Sequence, residues 1–109
     1  MATTYQRVHA ELTTSLATVY TCPAATSAII LSARASNIDG TVSATFEAKA
    51  GASGSTKYIQ AVGTPLPVGS SLNMQDGGEK WILEANEILE AKASANGDVD
   101  MMLSIAELT

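Results

Sequence analysis

Apolar and polar residues alternate with a period of two over much of this chain. In TVSATFEA (41–48), Val42, Ala44, Phe46 and Ala48 fall on one side, and Thr41, Ser43, Thr45 and Glu47 on the other. That is the pattern of a strand with one buried face. VDMMLSIAEL (99–108) repeats it, with Val99, Met101, Leu103 and Ile105 on one side and Asp100, Met102, Ser104 and Ala106 on the other. LATVYTC (16–22) and TKYIQAV (56–62) are rich in the β-branched and aromatic residues that suit a pleated surface. SAIILSARA (27–35) is more continuously apolar and reads as a central strand covered on both sides. The stretch 82–93 has the Ala, Glu, Leu and Lys content of a helix. Its Leu89, Ala91 and Ala93 nevertheless share one side against Glu90 and Lys92, and the strand reading is preferred. The Asn96-Gly97 pair then joins two alternating runs, so 88–107 reads as a hairpin.

Breaks are frequent: CPAATS (22–27), SNIDGT (36–41), AGASGST (50–56), GTPLPVGSS (63–71), MQDGGE (74–79) and SANGD (94–98). Pro65 and Pro67 are expected to end the strand before them, because proline cannot donate to a ladder. Turn signals every 8 to 12 residues or so, with short runs between, predict an all-β protein. The expected fold is an antiparallel β-sandwich, jelly-roll-like, of about 7–9 short strands with little or no helix. With 109 residues, one core is expected. Residues 12–109 form the predicted sandwich domain. The weakly patterned 1–11, MATTYQRVHAE, is expected to be an arm that orders on a neighbour.

Composition adjusts this picture. The hydrophobic fraction is 46%, but aromatics are only 5%, so the core must be built from small and β-branched residues around the single Phe46. Net charge is −5. Residues 1–78 hold four acids and four bases, and 79–109 hold seven acids and two bases, so the excess lies at the C-terminal end. No basic patch is present to bind a phosphate backbone or an anionic membrane, so neither nucleic acid nor membrane is expected as a partner. The single cysteine, Cys22, excludes an intrachain disulfide. No signal-like segment and no apolar run near the length of a span is evident, so synthesis in the cytoplasm is expected.

Catalytic residue types are sparse. His9 and Cys22 are the only members of their kinds, and they read as a surface or interface histidine and a small buried residue. Asn96, Asp98 and Asp100 supply a fragment of a calcium loop, and the Asn-Gly turn already accounts for the first of them. No catalytic, cofactor or metal site is predicted. Tyr5, Arg7 and His9 on the N-terminal segment are candidate interface residues. Trp81 is another, unless it serves as a core or sandwich-edge anchor.

A likeness is carried by LTTSLATVYTCPAATSAIILSARASNIDGTVSATFEAK (12–49), PLPVGSSLN (65–73) and LEANEILEAKASANGDVDMMLSIAEL (83–108). These resemble the Leu-Thr-Thr opening, Val-Tyr-Thr strand, Asn-x-Asp-Gly turn and final strands of small β-sandwich virion proteins of tailed bacteriophages. Here Asn86-Glu87 stands where those proteins often carry Gly-Asp. The resemblance implies a non-enzymatic structural protein without a cofactor, assembled in the host cytoplasm and found in the virion. Its implied role is capsid decoration (a cement protein), often trimeric, with the major capsid protein or other virion proteins as partners. Tail, baseplate or fibre components and host-receptor or carbohydrate-binding modules are the alternatives.

Overall fold

The alternating runs fold as strands, in a computed structural model that describes residues 2–75 and 80–109. The break at 76–79 lies outside the described residues. Among the described residues nine strands are formed: β1 (Thr3–Glu11), β2 (Ala17–Thr21), β3 (Ser27–Asn37), β4 (Ala44–Gly51), β5 (Lys57–Leu66), β6 (Ser71–Asn73), β7 (Trp81–Leu83), β8 (Ile88–Ala93) and β9 (Val99–Leu108). Among the described residues there is no helix. One antiparallel sheet runs β1-β9-β3-β6, with β7 also paired to β3, and the other runs β2-β8-β4-β5. Successive strands mostly change sheet, which is the jelly-roll way of wrapping one β-sandwich core.

The core lies between the two inner faces. From β9, Val99, Met101, Leu103 and Ile105 are fully buried, the face that the alternation selects. From the other sheet come Ala44, Phe46 and Ala48 of β4 and Leu89, Ala91 and Ala93 of β8. Alanines at 28, 33 and 35 of β3 also face inward, so a few large side chains are set among small ones.

Four sequence expectations are corrected. The segment 88–107 forms two strands but not a hairpin: β8 pairs with β2 and β4, and β9 with β1 and β3. Gly97 has a positive φ of 77° but Asn96 does not, so the type I′ turn that needs both is absent. The Asn96 side chain instead accepts from Thr14 N (2.9 Å), and Gly97 N donates to Leu12 O (3.0 Å), holding the chain as an arch from one sheet to the other. Second, β3 is central in its sheet but covered on one face only. A register shift between Ile30 and Ser32 changes the phase, leaving Ile29 and Leu31 half-buried beside the wholly buried Ile30. Third, β5 continues through Pro65, paired opposite Thr45, because among the described residues no strand pairs with its other edge and the missing N–H is not needed. Fourth, Glu47 is buried rather than solvated, with Lys92 Nζ 4.0 Å from its carboxylate. Of the segment 1–11, read as an arm, Thr3–Glu11 lies along β9, from Thr3 opposite Leu108 to Glu11 opposite Asp100.

Asn86 takes φ 69°, so the asparagine supplies the left-handed backbone that glycine would otherwise provide. At Gly97 the demand is stricter: besides its φ of 77°, an added Cβ would meet Glu11 Oε1 at 3.1 Å. Gly97→Ala is therefore expected to cost about 1–2 kcal/mol. A urea midpoint shifted down at unchanged slope is the check.

Candidate functional site

On β1, β9 and β3 the residues between the inward ones point away from the core, and register assembles them into rows. At one end Tyr5 stands opposite Ala106, Ala106 opposite Ile29, and Ile29 opposite Ile82 of β7. Tyr5 is 72% and Ile82 67% exposed, so this end is apolar and open. The next row sets Arg7 and Ser32 on either side of Ser104. Then His9 and Arg34 flank Met102, which is 48% exposed. The last row places Glu11 and Ser36 beside Asp100. His9, Glu11, Arg34, Asp100, Met102 and Ile38 line one concavity of about 440 Å³ on this face.

Three of the four predicted interface residues, Tyr5, Arg7 and His9, thus share the outer face of this sheet. Trp81 does not. It pairs with the wholly buried Ile30 and so takes the core side of β7, half-buried, at a gap of about 300 Å³ between the sheets that Ile59 and Leu89 also line. The outward residue of that strand is Ile82. Sequence reasoning missed Arg34, Met102 and Ile82 as face residues. One signal was present: Met102 is an apolar residue on the polar phase of β9.

The acidic end is pinned by its loop. Asp39 Oδ1 accepts from Thr41 N (2.8 Å), Thr41 Oγ1 (2.9 Å) and Val42 N (3.2 Å). These bonds, the Thr41 amide first, hold the Asp39 carboxyl below the usual carboxylate range.

The remaining candidate chemistry is dispersed. Cys22 is wholly buried, with Sγ 3.3 Å from Thr26 O, and burial followed by the nearby Glu107 and Glu87 pushes its thiol pKa up. His9 stands on the outer face, so the two form no pair. Among the described residues no group of three or more His, Cys, Asp or Glu is placed to hold a metal. The aromatic residues form no platform: Tyr5 lies on the first sheet's outer face, Tyr58 beneath Lys49 Nζ on the other sheet (4.9 Å to the ring centroid), and Tyr20 is buried.

Tyr20 serves a different purpose. Its hydroxyl donates to Glu107 Oε2, and Gln6 Nε2 donates to the same oxygen at 2.6 Å. Three strands, β2, β9 and β1, are tied at the corner where the two sheets come together. Burial, then the bond to Glu107, raises the Tyr20 pKa above its ordinary value of 10.0. The folded protein therefore holds this proton more tightly than the unfolded chain does. The stability so gained is complete below about pH 10 and declines as pH rises above it. Tyr20→Phe is expected to lose about 1.5 kcal/mol at neutral pH. The variant should also lose less further stability than the wild type between neutral and strongly alkaline pH, read by urea titration at each pH.

In sequence, no family model and no curated protein matches the chain. In structure, it resembles a chain of the acidic stable capsid of Helicobacter pylori bacteriophage KHP30, with a TM-score of 0.57 at 8% identity, covering 100% of this chain and 89% of that one. It also resembles a chain of the Bacillus endospore appendages, which form disulfide-linked pili, with a TM-score of 0.55 at 11% identity, covering 99% and 87%. At these identities the likeness is one of fold, spanning the sandwich from end to end.

Proposed function

We propose that this chain is a non-enzymatic structural protein of a bacteriophage virion, and that it decorates the capsid as a cement protein. The observation that carries the reading is the jelly-roll sandwich matched over its full length by a phage capsid chain. The open outer face of β1-β9-β3 agrees with it: a sheet face with an exposed apolar end, Tyr5 and Ile82, suits repeated contact on a lattice. The partners are the major capsid protein or other virion proteins, and on the particle the copies group as a homotrimer. No cofactor enters.

Residues 1–11 act in this reading as an arm. β1 is largely exposed and lies at a sheet edge, so the place it occupies along β9 could equally receive the β1 of a neighbour. Deleting residues 2–11 should then abolish attachment to particles, and unchanged attachment would overturn the arm. The role itself is tested by copy number in purified particles. Hundreds of copies support decoration, whereas a handful would move the protein to a tail or vertex.

Filament formation is the second reading, supported by the comparable fit to the spore-appendage chain. A disulfide link of the kind those pili carry is not open to this chain while folded, because its single cysteine is wholly buried. Cement on a lattice needs no such link.

A further inference from the structure

The outer face of β1-β9-β3 carries its charges in order along the strands. Arg7 lies in one row, His9 and Arg34 in the next, and Glu11 and Asp100 in the row after. All five are exposed. Basic and acidic rows so placed are complementary to themselves. A two-fold axis lying between two such faces, across the strands and midway between the last two rows, reverses the strand direction of one copy. It sets the His9–Arg34 row of each copy over the Glu11–Asp100 row of the other. Turning the copy about an axis along the strands would instead set like rows on like rows, and repulsion disfavours it.

Apolar groups lie among these rows. Met102 stands at the centre of the basic row, between His9 and Arg34, and Ile38, 52% exposed, lies beyond the acidic row. Both would leave water on contact, and each lines the concavity that a neighbour's side chains would fill. The ends of the face are held in place. Asn37 fixes the loop bearing Ile38, and Glu11 lies against the turn at Gly97.

The geometry points to a face-to-face pairing of two copies of this chain through β1-β9-β3, with Arg34 of each copy reaching one strand across to Asp100 of the other. The pairing deepens the structural-protein reading and rests on it for its purpose, a bridge between units on the particle. The contact is small, three strands wide at a spacing of about 4.8 Å, so association in free solution should be weak and salt-sensitive.

Sedimentation over a wide concentration series is the test, at low and high salt, on wild type, Arg34→Glu, Asp100→Arg and the double variant. Each single swap sets like charges across the axis and should weaken self-association about tenfold or more. The double variant exchanges the two signs and should regain the wild-type constant within about threefold. Recovery in the double variant also shows that the exposed swaps leave the fold intact. A wild type that stays monomeric, single variants that associate as well as wild type, or a double variant that fails to recover would each overturn the pairing. Copy number in particles is measured on the same proteins. Normal incorporation of a chain that never self-associates sinks the pairing and leaves the virion role. The swap pattern in a chain absent from particles does the reverse.

Discussion

Phe46→Ala is expected to remove about 3–5 kcal/mol of stability, the largest single effect in this chain. Phe46 is only 2% exposed and is the one phenylalanine in the sequence. Its strand contributes Ala44 and Ala48 on either side, and the facing β3 contributes Ala28, Ala33 and Ala35. A core of this kind has few large neighbours able to move into the space that the ring vacates. The cost is therefore the transfer of the ring plus a cavity that collapses poorly. Domains of this size are commonly stable by about 5–15 kcal/mol in total, so the variant should sit close to unfolding at ambient temperature. Phe46→Leu keeps most of the volume and should cost about 1.5 kcal/mol or less. Urea midpoints at constant slope give both values. A loss below about 1 kcal/mol for Phe46→Ala would mean that the sheets are held elsewhere.

Phe46 also shows what the sequence could disclose. Its place on the inner face follows from alternation alone, as do those of Val99, Met101, Leu103 and Ile105, because side-chain direction in a strand is local. Strand pairing is not local. Nothing in ILEAKA and VDMMLSIAEL says that the two runs face each other across the core rather than lie side by side. The Asn-Gly pair between them favours the hairpin that the fold does not make. The phase change between Ile30 and Ser32 and the continuation of β5 through Pro65 depend likewise on neighbours distant in sequence, as the pairing of Ile30 with Ile105 shows. The outer face suffers most from this. Arg7 and His9 could be singled out on one strand, but their meeting with Met102 and Arg34 needs two registers at once. Which of Trp81 and Ile82 faces outward is hidden for the same reason. The side of β7 that faces the core is fixed by pairing with Ile30, and residue type alone leaves tryptophan open as a core anchor or an interface residue.

Asn37→Leu should cost about 3 kcal/mol, although it keeps the size of a buried side chain and makes it more apolar. Asn37 is 6% exposed at the end of β3. Its Nδ2 donates to Val42 O at 3.0 Å and to Leu66 O at 2.9 Å, and its Oδ1 accepts from Asp39 N at 2.9 Å. One amide thus joins the end of β3, the 38–43 loop and the end of β5, which belongs to the other sheet. Leucine fills the site but donates nothing, so two carbonyls and one amide lose their partners where water reaches them poorly. Asn37→Asp separates this account from simple packing. It keeps the shape and turns the donor into an oxygen facing two carbonyl oxygens. Burial and those oxygens disfavour the charged form, so the folded pKa of the new carboxyl should lie above its unfolded value of about 3.9. Stability contributed by the protonated form is then present below about pH 4 and lost as pH rises through the folded value. The Asn37→Asp variant should accordingly approach the wild type most closely in acid, and fall furthest below it at neutral pH. A deficit independent of pH would show that the amide's hydrogen bonds do not hold this corner. The same two variants should also free Ile38, and with it the acidic end of the outer face, so any loss of self-association should exceed what the stability change alone explains at concentrations where the chain is still folded.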